Sequence, residues 1–295
     1  MHSRPLPPPL GEIDRASSVD IARRVAQALS HAFHRIDDPG EGHLMKDLEA
    51  LFALASHGDP KALNRLLEIA ETGEAQAMFL LGRVYDLSRD ACSIEPDLVA
   101  ARSWYERAAD ANYALAQFAL GNMHEYGEGA PKDEVVARHW YECAAKQGFA
   151  EAQMSYARML QRGLGGNQSN SDAASWYRKA ANQGHDLAAT NLGIMHYQRE
   201  VAEASDGIAF TFFGMAADML DGVAHLMLAE MWLEGRGTAQ DGGRALLHYC
   251  IASMLLPDGS NRERATRQRE FILAKYPEHR SEFESRAASY IRSRS

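Results

Sequence analysis

An aromatic pair returns every 36 residues along this chain. Trp104, Trp140, Trp176, Phe212 and His248 stand in step, followed in turn by Tyr105, Tyr141, Tyr177, Phe213 and Tyr249. Three residues before the first member comes Ala101, Ala137, Ala173, Ala209 or Ala245, and four residues after it Ala108, Ala144, Ala180, Ala216 or Ala252. Slots at i, i+3, i+4 and i+7 form one face of an α-helix. We term this helix B. Asp97, Asp133, Ser169, Ser205 and Asp241 sit four residues before each first alanine. All are residue types whose side chain accepts from the free N–H groups of a first helical turn. Gly148 and Gly184 follow two of the helices, where a left-handed residue ends a helix well.

A second periodic segment, helix A, precedes each helix B. Its marks are Ala77, Ala116, Ala152, Ala188 and Ala224, then Leu81, Leu120, Tyr156, Leu192 and Leu228. The next slot holds only Gly82, Gly121, Ala157, Gly193 or Ala229. A mid-helix glycine costs ~1 kcal/mol against alanine, so this restriction predicts close approach of the partner helix. Glycine-rich loops such as 127–133 join A to B, and the first loop is three residues longer. One such pair cannot bury its apolar face alone, but stacked pairs bury a continuous core, and about three or more are needed. The prediction is an all-α, right-handed α-solenoid of stacked helix pairs with capping helices at both ends.

The second unit, with Ala116-x-x-x-Leu-Gly, Gly127-x-Gly129, Ala137-x-x-Trp-Tyr and Ala144-Ala-x-Gln-Gly148, resembles the Sel1-like repeat family, a longer-looped relative of the tetratricopeptide repeat. Five units are expected over 75–257. The fourth departs from the pattern, with Arg199 and Val201 where the second has Gly127 and Gly129, and the fifth has His248 in the tryptophan slot. A degenerate earlier unit is expected over 44–73. Residues 1–43 are read as a Pro-rich segment and an amphipathic helix. Residues 258–295 are read as basic capping helices, near 262–275 and 278–292, carrying nine basic against five acidic residues from Arg262 onward.

The whole chain carries a net charge of −9, which disfavours a nucleic-acid partner. No apolar run reaches the ~18 residues of a membrane span. Cys92, Cys143 and Cys250 form neither a disulfide framework nor a metal clamp. With no secretory leader in Met1–Leu10, the expected location is the cytoplasm. His31 and His34 lack a third ligand beside them, and no loop has a phosphate-binding context. No catalytic group, metal or cofactor is therefore expected. Periodic placement assigns the Trp–Tyr ladder to the core.

The tetratricopeptide resemblance implies that helix A lines a concave groove. Phe79, Phe118, Met154, Thr190 and Leu226 occupy one slot there, and Arg83, Asn122, Arg158, Ile194 and Glu230 another. Both vary where the packing slots do not, which predicts an apolar groove for a peptide or partner protein, with Arg83, Asn122 and Arg158 fixing an acidic group. The resemblance implies a non-catalytic interaction scaffold or adaptor in a signalling, secretion or envelope-related complex. The alternatives are a dedicated secretion chaperone, or a cell-wall or β-lactam hydrolase. The relatives linked with hydrolysis have paired cysteines closing each repeat, which this sequence lacks.

Overall fold

The computed structural model describes residues 41–86, 96–275 and 277–294. The expectations for residues 1–40, with most of the Pro-rich segment and amphipathic helix, His31 and His34, lie outside these, as does Cys92. Fourteen α-helices, and no strand, occur among the described residues. Helices α1 (Glu41–Ser56) and α2 (Pro60–Glu71) form an opening pair. Unit 1 follows with α3 (Ala75–Asp86) and α4 (Leu98–Asp110), and unit 2 with α5 (Ala114–Tyr126) and α6 (Glu134–Lys146). Unit 3 is α7 (Ala150–Arg162) and α8 (Asn170–Asn182), and unit 4 is α9 (Asp186–Tyr197) and α10 (Asp206–Asp218). Unit 5 is α11 (Gly222–Glu234) and α12 (Gly242–Leu255). The chain ends with α13 (Ser260–Leu273), a 3₁₀ turn at Pro277–His279 and α14 (Arg280–Arg292).

Local signals act where the sequence places them. Asp97, Asp133 and Asp241 accept from first-turn N–H groups of their helices, and the Ser169 hydroxyl accepts from Asp172 N. Ser205 makes no such bond. Gly148 and Gly184 are left-handed, at φ 93° and 87°. Leu220, one repeat beyond Gly184, keeps the same left-handed conformation at φ 64° despite its side chain.

The small slot is the point of closest approach between the two helices of a unit. A Cβ built on Gly82 or Gly121 would lie 2.5 Å from the ring of Tyr105 or Tyr141, and one on Gly193 2.7 Å from the ring of Phe213. Each ring lies flat over its glycine, and Tyr105, Tyr141, Tyr177, Phe213 and Tyr249 are all buried. The tryptophan slot is different: Trp104, Trp140 and Trp176 are half-buried and pack on the margin of the core, so full burial belongs to the second member of each pair. They lie on the shoulder of helix B, where Arg107 and Lys179 cover the outer faces of Trp104 and Trp176 at 4.2 and 3.7 Å.

Unit follows unit through apolar clusters that join neighbouring helices. One spans Leu48 to Ala130 and the next Phe118 to Met231, and two smaller ones tie unit 5 to α13 and α14. Polar links cross the same boundaries. Arg102 donates to Gly129 O (3.2 Å), and Arg138 to Leu164 O (3.4 Å) and Asn167 O (3.2 Å). Each arginine thereby holds the loop of the following unit.

Candidate functional site

The expected groove positions divide by burial. Phe79, Phe118, Met154, Thr190 and Leu226 are all buried. Of the second slot, Arg158, Ile194 and Glu230 are buried, while Arg83 and Asn122 are half-buried. This corrects the expectation of an open apolar stripe. The cause is the following unit. Phe79 packs between the rings of Tyr105 and Tyr113, at 5.6 and 5.4 Å, and Phe118 between Tyr141 and Phe149, at 5.6 and 5.2 Å. Tyr113 and Phe149 are the N-cap residues of α5 and α7, so each next helix A begins by covering the stripe of the one before.

The polar positions converge into a hydrogen-bonded row along the helix-A layer. In unit 1, Tyr105 donates to Asp86 (3.0 Å). In unit 2, the Tyr141 hydroxyl contacts Asn122 Oδ1 and Glu125 Oε2, each at 2.7 Å. Arg158 of unit 3 reaches back to the same Glu125 oxygen at 2.7 Å, with both side chains about nine-tenths buried. In unit 3, Tyr177 donates to Gln161 Oε1 (3.0 Å), and Gln161 donates to Glu200 of unit 4 (2.9 Å). At the far end Arg264 of α13 pairs with the buried Glu230 at 2.6 Å. Asn122 and Arg158 are thus brought together around Glu125, whereas Arg83 lies apart over the ring of Phe52 at 4.5 Å.

The chemistry of this row is that of a fastener. Burial pushes the Tyr105 and Tyr141 hydroxyls well above the ordinary phenol range, so they act as donors. A buried carboxylate is costly unless a cation meets it, and Glu125 and Glu230 each receive one from the second helix further along the chain. The two described thiols are also held towards their neutral form. Desolvation raises Cys143, and raises Cys250 to about 11, away from the thiolate that nucleophilic chemistry needs. Among the described residues no group of three His, Cys, Asp or Glu side chains is placed to hold a metal. None of the described helices is long and apolar enough to cross a membrane.

Beside the covered stripe, helix A carries a less buried slot of small side chains. Ala119, Ser155 and Asn191 share one slot across units 2 to 4 and are half-buried, beside the half-buried Asn122. Nothing in the sequence sets this slot apart; it stands out only once the neighbouring stripe is seen to be covered.

Stacked helix pairs with an interlocked row of side chains define an α-solenoid built from a single repeated unit. Five consecutive segments, 75–113, 114–149, 150–185, 186–219 and 222–255, match the Sel1 repeat, and the chain belongs to that family. A solved Sel1 repeat protein from Oxalobacter formigenes is similar over 67% of this chain and 80% of its own, at 30% identity and a TM-score of 0.63. The c5321 protein, a protective antigen of uropathogenic Escherichia coli displaying an SLR fold, matches at 25% identity over 78% of this chain and 55% of its own, with a TM-score of 0.49. A putative Sel1 repeat protein from Klebsiella pneumoniae matches at 19% identity over 71% and 98%, with a TM-score of 0.43. No curated protein sequence matches the chain. Sel1 repeat proteins generally mediate protein–protein interaction, and their solenoid is typically non-catalytic.

Proposed function

We propose that this protein is a non-catalytic scaffold or adaptor that holds a peptide segment of a partner protein along the helix-A layer. The observation that carries this reading is the strip Ala119, Asn122, Ser155 and Asn191, half-buried on three successive units. Small side chains let an extended main chain approach closely, and amides can donate to it and accept from it. The buried polar row beneath fixes the spacing of the strip, because Tyr141, Glu125 and Arg158 tie units 2 and 3 together. A rigid array lowers the ordering cost of binding. The partner is therefore read as a segment held by polar main-chain contacts, in place of the apolar helix that an open hydrophobic groove would take. We assign the work to the cytoplasm, within a signalling, secretion or envelope-related complex.

The test is affinity capture with wild type beside Ser155→Arg/Asn191→Arg, after circular dichroism has shown both to be folded. Neither side chain belongs to the buried row, so long side chains there obstruct the strip without unpicking the fold. A partner retained by wild type and lost by the variant supports the reading. Equal retention by both moves the site off helix A and defeats it. No retained protein at all defeats the scaffold reading itself.

A further inference from the structure

The last helix does not continue the stack. Helix α14 turns back and packs on α12, and its Tyr290 reaches the end of α10. The Tyr290 hydroxyl donates to Ala217 O (3.3 Å) and lies 3.4 Å from Asp218 Oδ1. Arg294 pairs with Asp218 at 3.2 Å. Under Tyr290, edge-on at 5.4 Å, lies the ring of His225, which is fully buried on α11. Its Nδ1 is 2.8 Å from Nδ1 of His248 on α12. A contact of that length requires one ring to donate and the other to accept, so it cannot survive protonation of both rings.

The repeat shows what ordinarily fills these places. Gln117 and Gln153 hold the slot of His225 in units 2 and 3, donating to Ala109 O (3.4 Å) and Ala145 O (3.2 Å). The matching carbonyl in this unit is Ala217 O, and here it accepts from Tyr290 of α14. Phe212 and three tryptophans hold the slot of His248. Two non-titrating positions of the repeat have thus become histidines where the terminal helix docks.

We propose that His225 and His248 form an acid-sensitive latch, which holds α14 against unit 5 when neutral and releases it on acidification. Burial is the largest influence on both rings and holds them at about 3 and about 4. The charged and titratable groups facing them are Asp218 from α10, Arg244 from α12, Tyr290 from α14 and Arg294 just beyond it. At His225 the neighbouring His248 and Arg294 disfavour a protonated ring and the Ala217 carbonyl favours it; at His248 Arg244 disfavours it and Asp218 favours it. Once α14 lifts, the buried His225 meets water and the half-buried His248 meets more of it, and both return towards about 6.5. The docked values lie below the released ones, so docking is fully supported above about pH 6.5 and weakens progressively below it. Between pH 7.5 and 5.5 the released state gains about tenfold per histidine, or about 100-fold for the pair. Release uncovers the apolar side chains of Leu246 and Ile251, which α14 helps to bury.

The test is amide hydrogen exchange on the full chain at pH 7.5 and 5.5, with rates corrected for the intrinsic effect of pH. Helices α7 and α8 serve as the reference. In wild type the protection of 280–292 should fall about 100-fold relative to the reference. In His225→Gln/His248→Phe, which restores residues the repeat itself uses, that fall should vanish. A wild type with no selective loss in α14 overturns the latch, and so does an equal loss in the double variant. If the variant does not fold, the ring-proton signals of wild type decide. Two histidines that titrate near 6.5 while α14 stays protected overturn the proposal. Two that titrate only together with the loss of α14 protection support it.

Discussion

Alanine at Gly121 should destabilise the protein more than alanine at Gly193, although both glycines occupy the same slot. In an open helix either change would gain ~1 kcal/mol, because glycine is the poorer helix former. Here the new methyl at 121 lands 2.5 Å from Tyr141 Cε1 and 2.6 Å from Cδ1, so the ring must move. That ring is fully buried and its hydroxyl is fixed at 2.7 Å to Asn122 and Glu125. Overpacking costs about 1–3 kcal/mol, and straining a buried hydrogen bond adds about 1 kcal/mol. The net loss for Gly121→Ala is about 2 kcal/mol after the helix gain is deducted. At 193 the methyl meets Phe213 at 2.7 Å, but this ring has no hydroxyl to hold it. Its tilt brings the cost to about 1 kcal/mol, which the helix gain cancels. Urea unfolding followed by circular dichroism gives both values, and Tyr141→Phe closes a double-mutant cycle. In the Tyr141→Phe background the cost of Gly121→Ala should fall by about 1 kcal/mol. Equal costs at 121 and 193, or no coupling to Tyr141, would refute the claim that the hydroxyl pins the ring.

Other substitutions probe the same frame. Arg158→Met leaves Glu125 buried without its cation and should cost about 3–5 kcal/mol, most of it recovered by adding Glu125→Gln; chemical denaturation reads both. Trp140→Ala should cost about 1–2 kcal/mol, less than the 3–5 of a core aromatic, because the indole is half-buried; a loss at the higher figure would show that it carries the core after all. Leu220→Asn should raise stability by about 0.5 kcal/mol, since asparagine tolerates the left-handed conformation that Asn112 adopts in the equivalent slot at φ 62°; a lower melting temperature would contradict this.

Helix pairs, their starts and their closest contact were legible because each is a local pattern. Asp97 or Asp133 caps its helix whatever surrounds it, and a slot confined to glycine and alanine records a neighbour's ring without naming it. Burial of the groove positions was not legible in this way. Phe79 and Phe118 are covered by Tyr113 and Phe149, residues at the mouth of the next helix that carry no helical periodicity of their own. Nor could spacing show that Arg158 and Glu125, 33 positions apart, leave the surface together. Each alone is an ordinary charged residue of an amphipathic helix, and only their meeting makes burial affordable. His225 and His248 were hidden for a similar reason. They occupy different slots of different helices, and the element that seals them lies 42 residues further on, from His248 to Tyr290.

Unit 4 shows that departures from the repeat come in compensating sets. Phe213 lacks the hydroxyl that Tyr105, Tyr141 and Tyr177 use to grip helix A, and the slot it would have gripped holds Tyr197 in place of Asp86, Glu125 or Gln161. An acid kept there would have been buried without its donor. The unit also loses the loop glycines, and Arg199 takes up the left-handed conformation at φ 64°. Arg236 of unit 5 fills the gap from outside. Its guanidinium lies 3.7 Å from the centre of the Tyr197 ring and donates to Asp206 at 2.8 Å and to Tyr197 O at 3.2 Å. In units 1 to 3 the tyrosine–acceptor bond joins the two helices of the same unit. In unit 4 that task is shared with a neighbour: Arg199 of its own loop pairs with Asp206 at 3.2 Å, while Arg236 joins the same carboxylate to Tyr197, so the pair α9–α10 draws part of its polar contact from unit 5. Stability in such an array is a sum of unit and interface contributions, and here weight has moved from the first to the second. Removing Arg236 should therefore loosen α9 and α10, in the preceding unit, before it loosens the helices of unit 5, whose loop carries it.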